Sequence, residues 1–285
     1  MAASIGYLGP RGTFTKIAVD TAFNGENKQS FETIPECIDA VARGEIDIGV
    51  VPLENAIEGT VQLTVDYLVH QVRLEIMAEI VVPIQQHLLT RTDFSGDLSG
   101  IEEIHSHSHA IAQCHQYIHK HLPQANLHFT SSTGRAAEIV SESDAPIAAI
   151  GNKLAAKEYG LQTVQENIHD YPNNHTRFAV LTKAKEKPVI KHSVYSEKTS
   201  LLITLPSDYA GALHQVLSAF AWRKMNLSKI ESRPTKTGLG DYFFIIDVEQ
   251  PYDDVLFPGV KAELEALGCE VTFLGTYPVY QLDTI

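Results

Sequence analysis

The stretch PECIDAVARGEIDIGVVPLEN, Pro35 to Asn55, contains one complete unit of the fold. Pro35 is preset for a first helical turn, where its missing N–H costs nothing. Pro35, Ile38 and Val41 then recur at helical spacing and mark one apolar face. Gly44 stops the helix, and Ile46 to Val51 is an apolar run without polar alternation. Such a run fits a strand covered on both faces. Pro52-Leu-Glu-Asn55 reads as a polar loop beyond its C-terminal end.

Outward from this unit, helices and strands keep alternating. Toward the N-terminus, SIGYLG is a strand ending in a Gly-Pro-Arg-Gly turn. Thr13 then caps a helix whose apolar face is Phe14, Ile17, Ala18 and Phe23. Toward the C-terminus, GTVQLTVDYLVH is an amphipathic helix and LEIMAEIVVPIQQHLLT two consecutive extended runs. The pattern then restarts: a strand near Ile104, the helix SHAIAQCHQYIHKHL, strand NLHFT, helix TGRAAEIVSE, strand PIAAIG, helix NKLAAKEYG and strand LQTVQ. Strands separated by helices imply parallel α/β layers, and two such sets predict two lobes.

Residues 184–198, AKEKPVIKHSVYSEK, are polar and charged and read as a linker. From Thr199 the order changes to strand, helix, strand, strand, helix, strand: TSLLITLP, AGALHQVLSAFAWRKM, NLSKIESRPT, DYFFIIDVE, PGVKAELEALG and CEVTFLGTY. That is the βαββαβ order of a ferredoxin-like sandwich.

The chain has 285 residues, 44% hydrophobic and 20% charged, as expected for a globular protein of more than one domain. Its formal net charge of −13 argues against nucleic-acid binding, which needs an excess of Lys and Arg. A small anion is still accessible to one Arg and a few backbone N–H groups. The three cysteines Cys37, Cys114 and Cys269 are scattered, without CxxC, and read as buried thiols. There is no signal peptide pattern and no apolar run of membrane-spanning length, so a cytoplasmic location is expected.

Several polar constellations stand at strand ends. HSHSHAIAQCHQYIHKH places His115 and His119 one helical turn apart, a spacing that can chelate zinc. No third ligand, HExxH or paired Cys accompanies them, and no metal is expected. Ser106 and His107 instead stand at a strand-to-helix corner, where free N–H groups face a carboxylate. TSSTGRAAEIV repeats that design around Thr133, and taken alone it is a helix cap. PLENAIEGTV clusters Glu54, Asn55 and Glu58 after a strand, where open sheets bind ligands. NNHTRFAVL, Asn173 to Leu181, crowds polar groups at the mouth of the strand Phe178–Leu181. No nucleotide fingerprint occurs.

YLGPRGTFT, VPLENAIEGTV, SHSHAIAQC, STGRAA, AAIG, NHTRF, GALHQVL and ESRP, in this order and spacing, resemble prephenate dehydratases with a C-terminal ACT regulatory domain. The chain departs from that pattern at Thr15, where the family has Ser, and at Ser108-His109, where it often has Pro-Gln. SDYA replaces the usual Arg-Pro before Gly211. No chorismate mutase stretch precedes the first strand, so the likeness is to the monofunctional type.

The resemblance implies a two-lobed, periplasmic-binding-protein-like catalytic domain over 1–183, one lobe taking about 1–80 and 168–183 and the other about 81–167, and an ACT domain over 199–285. It implies a cofactor-free conversion of prephenate to phenylpyruvate, water and carbon dioxide. Thr176 would donate to the leaving hydroxyl. Asn55, Ser106, His107, Thr133, Asn174, Arg177 and Phe178 would bind or frame the substrate, with Glu58 disfavoured beside a dianion. Phenylalanine would bind for feedback control along Gly211, Ala212 and Leu213, with Asn226, Leu227, Glu231, Ser232, Arg233 and Pro234 as the other wall. A homodimer or homotetramer is expected. A solute sensor built on the same two-lobed fold and an arogenate dehydratase are the rival readings.

Overall fold

In the computed structural model, which describes residues 3–25, 27–184, 188–207, 209–234 and 242–283, the Pro35 unit is bounded by its own side chains. Thr33 accepts from the Glu36 N–H while the Glu36 carboxylate accepts from Thr33 N–H, a reciprocal cap. Gly44 ends the helix at φ 76°, a left-handed conformation that suits a residue without Cβ. The strand that follows runs from Ile48 to Asn55, so Glu54 and Asn55 belong to it and not to a loop. They stay extended because another strand pairs with them.

The elements of the first half are β1 (Ile5–Leu8), α1 (Phe14–Ala22), β2 (Lys28–Phe31), α2 (Ile34–Arg43), β3 (Ile48–Asn55), β4 (Gly59–Thr60), α3 (Gln62–His70) and β5 (Glu75–Pro83). The second set is β6 (His87–Arg91), β7 (Glu103–Ser106), α4 (Ser108–Ala112), α5 (His115–His121), β8 (Asn126–Phe129), α6 (Thr133–Glu142), β9 (Ile147–Gly151), α7 (Lys153–Glu158) and β10 (Leu161–Gln165). β11 (His175–Thr182) returns to the first set. The C-terminal part is β12 (Ser196–Thr204), α8 (Ala212–Ala221), β13 (Leu227–Pro234), β14 (Tyr242–Val248), α9 (Leu256–Ala266) and β15 (Glu270–Gln281).

Two sheets result. One has the order β13-β14-β12-β15-β5-β11-β3-β1-β2, with β4 on β3, and the other β10-β6-β9-β7-β8. The lobes are therefore α/β units of periplasmic-binding-protein type with helices on both faces of each sheet, followed by the expected ferredoxin-like sandwich. The sheets are mixed, where uniformly parallel ones were expected. β1 pairs parallel with β2 and β3, but β11 runs antiparallel to both β3 and β5. A returning strand inserted between outgoing ones has to run backwards.

Three other differences are local. β2, KQSF, carries too few apolar residues to announce itself, and it is held by parallel pairing to β1. The expected His-rich helix is broken at Gln113 and Cys114 into α4 and α5. β12 begins at Ser196, inside the stretch expected to be linker. Residues 185–187 of that stretch, Asp208 of SDYA, and Thr235 and Asp241 of the expected C-terminal strands lie outside the described residues.

β11 shows how the sheet divides its faces. Phe178 and Val180 enter one core with Ile17, Val50 and Ile80 beneath α1. Ala179 and Leu181 enter another with Ile38, Val41, Leu53, Val65 and Leu68. The second core also takes in Leu202, Phe243, Ile245 and Tyr277. The C-terminal sheet thus packs one face on α3 and the first lobe, while α8 and α9 cover its other face. The last residues of β15, Val279 to Gln281, pair parallel with Glu79 to Val81 of β5 and join the two units edge to edge.

Candidate active site

Between the two sheets lies a cleft of about 1000 Å³. The first lobe contributes Thr13–Thr15 at the start of α1, Asn55 at the end of β3, Glu58 to Val61, and Thr176 and Phe178 of β11. The second contributes His107, His109, Gln113, and Ser132, Thr133 and Arg135 at the start of α6. At one end the lobes touch: Asn152 Nδ2 donates to the Gly12 carbonyl at 2.8 Å. Gly134 packs so closely there that a Cβ would lie 2.4 Å from the Arg11 carbonyl oxygen.

Thr176 and Asn55 are register partners on β11 and β3. The Asn55 amide oxygen accepts from the N–H of Ile57 at 3.0 Å and of Glu58 at 3.1 Å. Those two donors fix which end of the amide is which. Its Nδ2 therefore points at Thr176 and donates to Oγ1 at 2.9 Å. With an acceptor site of Oγ1 occupied, the hydroxyl proton of Thr176 remains available to the cleft. Phe178, 1% exposed, is two residues on and on the same side of the pleat, closing the wall behind it.

The anion-receiving features lie opposite. α1 and α6 both direct their first turns to the cleft, with Thr13 and Ser132 as side-chain caps. Helix N-termini carry about half a positive charge each. Arg135 adds a guanidinium, itself bonded to Glu138 at 2.5 Å. His107 is held below the usual imidazole range, first by burial and then by the charge of His109, with Glu58 opposing. It is thus neutral near pH 7. Its Nδ1 accepts from the His109 N–H at 3.4 Å, which leaves Nε2 to carry the ring proton.

Among the expected residues, Thr176, Asn55, His107, Thr133, Phe178 and the uncertain Glu58 line the cleft. Ser106 does not: it is fully buried and its Oγ donates to the Ile150 carbonyl at 2.7 Å. Asn174 is also behind the lining, donating to Gln113 Oε1 at 3.1 Å, with its own buried Oδ1 unpaired. Arg177 is a correction. The pleat sends it to the face opposite Thr176, where it meets Glu54 at 2.5 Å, Glu79 at 2.6 Å and Asp247 at 2.7 Å. A guanidinium so engaged is not a substrate ligand.

Gln113 and Arg135 were not expected. Gln113 reaches Glu58 across the cleft at 3.4 Å and receives Asn174. Its only local signal is a polar residue beside Cys114 on an otherwise apolar helix face, and it borders the cleft, largely buried, where α4 gives way to α5. Arg135 lay inside a motif read as a cap; a cation in a first helical turn, where the helix end already carries positive charge, was the available hint.

The residues expected to hold an effector are divided by the C-terminal sheet. Gly211, at φ 95°, precedes α8, with Ala212 buried and Leu213 39% exposed. Ser232 and Pro234 pair with Phe244 and Tyr242 on that same helix-bearing side. Asn226 donates to Glu249, and Leu227 packs into the core beneath the helices. Glu231 and Arg233 face the other way. Glu231 accepts from Thr60, and Arg233 meets Asp66 of α3 at 2.9 Å.

His115 and His119 stack at 6.1 Å, but no group of three or more His, Cys, Asp or Glu that could hold a metal occurs among the described residues. All three cysteines are buried, and burial pushes the Cys37 thiol up to about 12. Among the described residues no helix is long and apolar enough to cross a membrane.

A family model described as prephenate dehydratase matches residues 5–186. The chain is 52% identical over 283 residues to the prephenate dehydratase of Bacillus subtilis (strain 168), covering 98% of this chain and 99% of the relative. Among solved structures, prephenate dehydratase from Arthrobacter aurescens in complex with L-Phe superposes with a TM-score of 0.84 at 37% identity, covering 96% of this chain and 89% of that one. GqqA, described as a novel type of quorum quenching acylase, superposes at 0.82 with 25% identity, covering 96% and 97%. A shared fold does not choose a chemistry. Half-identity from end to end to a protein of one named activity, together with the family match, does: the chain belongs to the prephenate dehydratase family.

Proposed function

We propose that the protein converts prephenate to phenylpyruvate, water and carbon dioxide in phenylalanine biosynthesis, under feedback control by phenylalanine. The observation that carries this reading is the Thr176 hydroxyl, oriented by Asn55 toward the cleft, in a chain whose full-length relatives are named for that reaction.

The chemistry asks little of the protein beyond placement. The bond between the ring and its carboxylate breaks, and its electron pair enters the ring as carbon dioxide departs. The ring closes its aromatic set by expelling the opposite hydroxyl, which leaves as water after gaining a proton. Thr176 donates a hydrogen bond to that hydroxyl; the net proton comes from solvent, since a threonine hydroxyl is too weak an acid to lose its own. Such assistance contributes about 10²–10⁴-fold. Arg135, the ends of α1 and α6, and the His107 ring N–H anchor the two carboxylates. Aromatisation supplies the driving force without a cofactor.

The same reading divides the chain into a catalytic domain 1–183, a connecting stretch 184–198 and a regulatory domain 199–285. It includes a cytoplasmic location and a homodimer or homotetramer built through the C-terminal domain. The solved relative with L-Phe bound supports phenylalanine as the effector here. Prephenate and arogenate differ by one keto versus one amino group. The test is to incubate the full-length protein with each and follow phenylpyruvate or phenylalanine. Binding without turnover of either would make it a solute sensor. Calorimetric titration of the full-length protein with millimolar phenylalanine tests the effector, and absence of heat rejects it.

A further inference from the structure

We propose that the ion pair Arg177–Glu54 positions the catalytic pair Thr176–Asn55 from behind, and that Lys229 and Asp247 of the C-terminal domain hold it in place. The inference rests on the reading of Thr176 as the reacting hydroxyl and names the route by which the regulatory domain reaches it.

Register makes the first link. Thr176↔Asn55 and Arg177↔Glu54 are successive cross-strand partners on β11 and β3. Successive partners point to opposite faces of a sheet. The first pair therefore faces the cleft, and the second faces the C-terminal domain. A shift of either strand moves both pairs together.

Charge makes the second link. Arg177 Nη2 is shared between Glu79 at 2.6 Å and Asp247 at 2.7 Å, and Nη1 meets Glu54 at 2.5 Å. The Glu54 oxygen that receives Arg177 also receives Lys229 Nζ at 3.0 Å. The Glu79 side chain is fully buried and that of Asp247 5% exposed. Lys229 further donates to Thr60, a residue of the cleft wall paired with Glu54 through β4. Two adjacent strands of the C-terminal sheet thus grip the two strands that carry the catalytic pair.

A void of about 20 Å³ lies at this joint, bordered by Arg177, Ser200, Lys229 and Asp247. Buried ionic clusters add little net stability over an apolar replacement of equal shape, so their use lies in fixing one arrangement. Removing one partner alone leaves the others short of counter-charge and costs stability, so a positioning role is read from the turnover of the folded variant and not from its folding.

The test is saturation kinetics on the full-length protein, with and without phenylalanine, for Lys229→Met, Lys229→Arg, Glu54→Gln and the double variant Lys229→Met/Glu54→Gln. Lys229→Met should lower kcat about tenfold with KM within about threefold, and it should weaken the response to phenylalanine. Lys229→Arg, which keeps the charge, should restore most of kcat. The double variant should be no worse than Glu54→Gln alone, the signature of coupled residues. If Lys229→Met does not fold, Glu54→Gln must still show the kcat loss. A Lys229→Met enzyme with unchanged kcat, or additive losses in the double variant, overturns the joint. The unaltered protein is measured alongside: an inactive parent removes the functional reading itself, and an active parent with indifferent variants removes only this inference.

Discussion

Replacing Asn55 by aspartate changes one NH2 group into an oxygen and leaves the side chain's shape alone. In the native site the amide oxygen is committed to the N–H groups of Ile57 and Glu58, so the NH2 must donate to Thr176 at 2.9 Å. The introduced carboxylate keeps both backbone donors on one oxygen. Its other oxygen can only accept, and it captures the Thr176 proton that would otherwise face the substrate. A hydrogen bond to a charged group is worth about 1.5–3 kcal/mol, and that bond must now be given up before Thr176 can turn to the leaving hydroxyl. Lost donation in the transition state adds the about 10²–10⁴-fold of assistance to the leaving hydroxyl, or about 2.7–5.4 kcal/mol at roughly 1.36 kcal/mol per decade. We expect kcat to fall at least about 100-fold, with KM raised as well by the added charge near a dianion. Folding stability should change by less than about 1 kcal/mol, since every backbone donor keeps its acceptor. Phenylpyruvate absorbance in alkali gives the rate and a urea melt gives the stability. An enzyme of native stability whose kcat stays within about threefold would refute the donor direction assigned to Asn55.

Four more outcomes are expected. Thr176→Ala should hold KM within several-fold and lose about 10²–10⁴ in kcat, while Thr176→Ser keeps much of it; steady-state kinetics on both would expose the reverse. Arg135→Gln should raise KM about 10–100-fold with kcat little changed, corresponding to one charge-assisted bond of about 1.5–3 kcal/mol, and equal KM values would take Arg135 out of substrate binding. Phe178→Ala empties a site that is 1% exposed, and the denaturation midpoint should register a loss of about 3–5 kcal/mol. Burial, with Lys153 adding to it, holds the His87 imidazole down to about 4. Between the unfolded value near 6.5 and about 4, the unfolded chain binds a proton that the folded one refuses, so stability falls as pH falls, by up to about 3 kcal/mol at roughly 1.36 kcal/mol per unit. Urea melts at pH 7 and pH 5 should differ in that direction, and His87→Gln should flatten the difference.

Much of this was legible wherever local pattern carries the information. The Pro35–Val51 unit is readable because a cap, an apolar spacing and a stop glycine all act within a few residues. The βαββαβ order is readable for the same reason, as are Thr176 and Asn55 at strand ends. What escaped depends on pairings remote in sequence. The antiparallel insertion of β11 is decided by where the chain returns, and β2 exists because β1 offers it an edge. Arg177 is the instructive case. Its neighbours Thr176 and Phe178 were rightly associated with the cleft, and strict alternation already sends the residue between them elsewhere. Its partner Asp247 lies 70 residues away in another domain, and nothing near Arg177 announces it. Gln113 borders the cleft where a helix expected to be continuous breaks.

The edge-to-edge union of β15 with β5 has a bearing on engineering. Removing everything after residue 198 would strip Glu79–Val81 of a hydrogen-bonded neighbour. It would also lay open Leu53, Val65 and Leu68, which now share a core with Phe243, Ile245 and Tyr277. The catalytic half is therefore a poor candidate for a free-standing enzyme released from inhibition by deletion. Strains meant to overproduce the amino acid would do better with point changes on the helix-bearing side of the C-terminal sheet, which leave the seam intact.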